Sequence, residues 1–69
     1  MSKEKQGIGK TVKKYRLQKG ISQEKLARLA DLAFPTIAKI EAGATPNPSI
    51  DTVQKIAKAF GVSIDDLMK

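Results

Sequence analysis

The sequence predicts an all-α fold, a compact set of five short helices in which the second and third form a helix-turn-helix. Three observations carry that expectation. Between Ser22 and Gly43 two apolar-periodic segments are separated by a break too tight for an ordinary loop. Helix-start residues and glycine stops bracket the segments on either side. Finally, 69 residues bury only a modest core, for which short helices with short connections are the economical solution.

Helix one runs from Gly7 or Ile8 to Lys19, with Ile8, Val12, Tyr15 and Lys19 on one face and Gly20 as the stop. Lys10, Lys13, Lys14 and Leu17 point the opposite way, a solvated stripe with one exposed leucine. Helix two starts at the N-cap Ser22, with Ile21 and Leu26 at the spacing of a hydrophobic staple; Leu26, Leu29 and Ala30 keep one face apolar. Ala27 leaves its backbone open to close approach by a second helix. The following reversal needs a positive φ and holds Asp31, one of the few non-glycine residues that tolerate it. In helix three Ala33, Ile37 and Ile40 face the core, and Gly43 ends it; because the residue before a proline avoids the α region, Phe34 is expected as the cap and Pro35 as the first helical residue. The loop from Ala42 to Ser49 carries two prolines and crosses the surface. Ser49 caps helix four, whose stripe is Ile50, Val53, Ile56, Ala57 and Phe60. Val62 and Leu67 then form a staple, and Ser63 with Asp66 a capping box, that start a short fifth helix.

Four stretches, GISQEKLA at Gly20 to Ala27, TIAKIEAG at Thr36 to Gly43, NPS at Asn47 to Ser49 and KIAKAFGVS at Lys55 to Ser63, resemble the Cro and phage-repressor type of helix-turn-helix DNA-binding domain, the XRE family. The resemblance covers nearly the whole chain and implies a lambda-repressor-like fold. It also implies that Arg16, near the end of helix one, pairs with Glu41 near the end of helix three, and that Gln23 contacts a DNA phosphate. The chain departs from the family pattern where Asp31 replaces the usual glycine, Ala33 a serine or threonine, and Phe34 and Pro35 polar residues.

Composition narrows the function classes. There is no cysteine and no histidine, which removes thiol nucleophiles, imidazole bases and the commonest zinc ligands, so neither an enzyme nor a metal or cofactor site is expected. No apolar run approaches the roughly 20 residues that span a bilayer, and the first ten residues lack a secretion signal, so a cytoplasmic location is expected. The net charge is +6, and all of it is in the front half: residues 1 to 35 hold nine basic and three acidic groups, residues 36 to 69 four of each. Such an excess attracts polyanions. Residues 1–6 are read as a polar tail and 7–69 as the domain.

In a helix-turn-helix the second helix of the motif enters the DNA major groove by its N-terminal end. With Ile37 and Ile40 inward, Pro35, Ala38, Lys39 and Ala42 face outward with Phe34 beside them. The base-facing candidates are therefore Phe34, Pro35, Ala38 and Lys39, of which Lys39 alone carries a strong donor, suited to guanine O6 and N7. The phosphate candidates are Ser22, Gln23 and Thr36, with Asn47, Thr45 and the loop backbone weaker. One small motif offers few base contacts, so the expected partner is double-stranded DNA bound by a homodimer on a two-fold symmetric site. The alternative is a protein-interaction module, or an antitoxin-like partner, that keeps the fold and binds through Phe34, Pro35 and Ala38.

Overall fold

A computed structural model describes residues 8–45 and 47–68. The segment read as a tail, residues 1–6, lies outside the described residues. The elements are α1 (Gly9–Gln18), α2 (Gln23–Ala30), α3 (Phe34–Glu41), α4 (Ile50–Phe60) and α5 (Ile64–Met68). All five helices were expected.

Local chemistry accounts for most of the boundaries. The Ser22 hydroxyl accepts from the Lys25 amide at 3.0 Å and the Ser49 hydroxyl from the Thr52 amide at 3.2 Å, each satisfying an amide that the helix leaves unpaired. At α5 the capping box closes in both directions: Asp66 N–H donates to Ser63 Oγ at 3.1 Å, and Ser63 N–H to Asp66 Oδ2 at 3.2 Å. The turn of the motif is built on Asp31, at φ 58° and ψ 47°. There the Leu32 amide reaches back to Ala27 O at 2.8 Å and the Asp31 amide to Arg28 O at 3.2 Å, a left-handed helix stop that glycine usually supplies.

Helix α3 begins one residue earlier than expected. Phe34 is its first residue and Pro35 its second, while the extended residue before the helix is Ala33, at φ −73° and ψ 144°. Proline fits there because the first-turn amides have no intrahelical acceptor in any case. Ala33 is consequently exposed and takes no part in the core. Lys19 likewise leaves the apolar face of α1 as its exposed C-cap.

The core is formed by the fully buried Val12, Leu26, Ile37, Ile40, Ile56 and Leu67, one or two from each helix, with Ala27 and Ala30 allowing α2 to lie close to its neighbours. Tyr15 of α1 closes one edge against Phe60 of α4, ring centroids 5.5 Å apart. Two leucine-type residues expected in the core are exposed: Leu29 at 52% and Ile50 at 62%. Each sits off the centre of its buried stripe, Leu29 beside the face set by Leu26, Ala27 and Ala30, and Ile50 in the first turn of α4 ahead of Val53. Leu17 is exposed, as its position among the lysines indicated.

Gly9 fixes how α1 meets α3. A Cβ placed on it would lie 2.2 Å from the carbonyl oxygen of Ile40 and 3.4 Å from Glu41 Cα, so only a residue without a side chain lets the start of α1 rest on the last turn of α3.

Candidate nucleic-acid interface

Helix α3 presents Ile37 and Ile40 to the core, which leaves Phe34, Pro35 and Lys39 exposed and Ala38 and Thr36 half-buried. Eight residues make a rod about 12 Å long and about 10 Å across, matched to a major groove about 12 Å wide. Phe34 and Pro35 stand at its leading end and Lys39 in its last turn. Phe34 also lines a shallow cleft with Glu24, Ala27, Arg28 and Leu32 of the neighbouring helix and turn.

A charged network fastens the far end of α3. Arg16 Nε donates to Glu41 Oε2 at 2.7 Å and Arg16 Nη2 to Glu41 Oε1 at 3.0 Å, a bidentate pair between the ends of α1 and α3. Arg16 Nη1 donates further to Ile21 O at 2.9 Å, tying in the connection between α1 and α2. The hydrogen bonds to Glu41 raise the Arg16 pKa above its ordinary value against the opposing effect of burial, so the guanidinium stays charged. A third donor completes the cluster: Gln23 Nε2 reaches Glu41 Oε1 at 3.0 Å. One carboxylate thus joins the last turn of α1, the first residue of α2 and the last residue of α3.

The Gln23 bond was not anticipated. It commits one amide hydrogen to Glu41 and leaves the second, with the backbone N–H groups of Gln23 and Glu24, for another acceptor. Ser22 is exposed and engaged as cap, with its own hydroxyl hydrogen still able to donate. Asn47 is exposed in the connection between α3 and α4. The structure therefore gathers Ser22, Gln23 and Glu41 at one corner and the apolar candidates at the start of α3. Two residues that carry the geometry, Gly9 and Glu41 as the partner of Gln23, had no signal in a single sequence, because both depend on packing between helices far apart in the chain.

Among the described residues no cluster of histidine, cysteine, aspartate or glutamate could hold a metal ion, and no helix is long and apolar enough to cross a membrane.

Comparison with known proteins follows the same lines. The helix-turn-helix family model matches residues 12–67. The control protein C.BamHI of Bacillus amyloliquefaciens is 48% identical over 62 residues, which are 88% of this chain and 75% of that one. The HTH-type transcriptional regulator SinR of Bacillus subtilis is 36% identical over 61 residues, and the chain spans 55% of its length. Among solved structures, the N-terminal DNA-binding domain of SinR superposes with a TM-score of 0.83 at 37% identity, covering 87% of each chain. SinR has also been solved in complex with DNA, again with a TM-score of 0.83. The restriction-modification controller protein C.AhdI of Aeromonas hydrophila gives 0.82 at 31% identity over 88% of this chain and 91% of that one. From Val12 to Leu67, with α2 and α3 as its motif, this chain belongs to the helix-turn-helix family of the Cro and phage-repressor (XRE) type, a family of DNA-binding transcriptional regulators.

Proposed function

We propose that the chain is a cytoplasmic, non-enzymatic regulator that binds double-stranded DNA sequence-specifically, as a homodimer on a two-fold symmetric site, with α3 in the major groove. The observation that carries the reading is the outward face of α3. Phe34, Pro35 and Lys39 are exposed and Ala38 half-buried on a rod of groove dimensions, in a chain with a net charge of +6. Lys39 donates to a base edge, while Ser22, Gln23, Thr36 and Asn47 contact phosphates that set the register. The relative solved with DNA supports the same use of the fold. A dimer follows from the small number of base contacts that one α3 offers.

The test is selection of a preferred site from random duplex DNA at stated salt, followed by a salt titration on that site. Raising salt from about 50 to 200 mM weakens binding at least tenfold when several phosphates are neutralised. An affinity independent of salt, or none at low salt, refutes the reading. Two protomers per selected duplex in sedimentation support the dimer, and one per site refutes it.

A further inference from the structure

We propose that α3 reads pyrimidine C5-methyl groups beside the base contact of Lys39, so that the protein distinguishes thymine from cytosine and responds to 5-methylcytosine; the inference rests on the DNA-binding reading above. Its basis is the chemistry that the outward face lacks. From Phe34 to Ala42 there is no asparagine, glutamine or arginine, so of the side chains that pair with adenine or guanine only Lys39 is present. Glu41, which could otherwise accept from cytosine N4, has both oxygens bonded to Arg16 and Gln23. Lys39 is left as the strong donor of that face, and a lysine addresses guanine.

What the face has instead is apolar area at its leading end. Phe34 is 45% exposed, Pro35 is exposed and Ala38, one turn further on, is half-buried. These three cannot hydrogen-bond a base, and the methyl at pyrimidine C5 is the apolar group that the major groove displays. Phe34 lines a shallow cleft with Leu32 and Ala27, which sets it beside the end of α2 and the turn. The chain-wide net charge of +6 favours a polyanion, and the groove-sized rod of α3 makes duplex DNA the occupant of this face. Cytosine carries hydrogen at C5 and fails the contact. 5-Methylcytosine places the same methyl at the same edge of the groove and makes it.

The experiment uses the full chain and the duplex recovered by selection from random DNA. Each thymine is replaced singly by deoxyuridine, which removes the methyl and leaves base pairing and O4 intact. At least one thymine then loses about fourfold in affinity, the factor that corresponds to about 0.8 kcal/mol for burying one methyl-sized group. At that position a cytosine·guanine pair gains about the same factor when the cytosine carries a 5-methyl group. Phe34→Ala or Pro35→Ala abolishes the difference between thymine and uracil and leaves the salt dependence of binding in place. Equal affinity for thymine and uracil at every position, a selected site without thymine, or a methyl effect that survives both substitutions overturns the inference. Each of those outcomes leaves salt-dependent, sequence-selective binding standing, whereas absence of any DNA binding overturns the underlying reading as well.

Discussion

Removing the Glu41 carboxylate tests the assembly of the motif most severely, because three donors from two other helices converge on it. The side chain is 3% exposed and that of Arg16 12% exposed, so the pair is largely shielded from water. In Glu41→Ala, Arg16 Nε, Arg16 Nη2 and Gln23 Nε2 lose their acceptor at once. Breaking a buried pair costs about 3 to 5 kcal/mol, and the part of Arg16 that water still reaches places this case near the lower figure, about 3 kcal/mol. Glu41→Gln keeps one carbonyl acceptor and the shape of the side chain, so about 1 to 2 kcal/mol is expected. Replacing both partners in Arg16→Met/Glu41→Met leaves no stranded charge and recovers most of the loss. The assay is urea unfolding followed by circular dichroism. With a slope of about 1 kcal/mol/M for a domain of this size, Glu41→Ala lowers the midpoint by about 3 M. A loss of a few tenths of a kcal/mol, the value for an exposed pair, refutes the argument, and so does a double variant no more stable than the single ones.

Other substitutions separate the remaining links. Gly9→Ala forces a methyl against the Ile40 carbonyl, and after the gain in helix propensity of about 1 kcal/mol it should still lose about 1 to 3 kcal/mol in thermal unfolding; a variant as stable as the parent shows that α1 does not rest on α3. Asp31→Gly relieves a left-handed residue and gains up to about 1 kcal/mol, whereas Asp31→Ala loses about 1 kcal/mol; a glycine variant weaker than the parent means that the carboxylate is needed at the turn. On the selected site, Lys39→Ala costs about 1 to 3 kcal/mol and flattens preference at one base pair, while Gln23→Ala weakens all sequences alike; equal loss of Lys39→Ala on preferred and scrambled duplexes makes Lys39 a phosphate contact.

Much of the architecture was legible because it is written locally. Ser22, Ser49 and the Ser63–Asp66 pair announce their helices within four residues, and the Asp31 reversal follows from the shortness of the break it must turn. Arg16 and Glu41 meet across 25 residues, and it was the resemblance to a known family that pointed to the pair. Gln23 and Glu41 are 18 residues apart and no local rule joins them; their bond exists because α2 and α3 cross with those ends adjacent. Gly9 looks in the sequence like a weak helix start, and its use appears only when the Ile40 carbonyl is found beneath it. Leu29 and Ile50 mislead for a related reason, since spacing shows which residues share a face but not where the neighbouring helix ends.

Amide chemical-shift mapping tests the central claim most directly, with the isotopically labelled chain titrated by its selected duplex at two salt concentrations. If α3 lies in the major groove with the start of α2 on the backbone, the largest shifts fall on Ser22 to Glu24 and on Phe34 and Thr36 to Ala42, and those of the second group are reduced on scrambled DNA. Shifts centred on α4 and α5, with Phe34 to Lys39 unmoved, would contradict it.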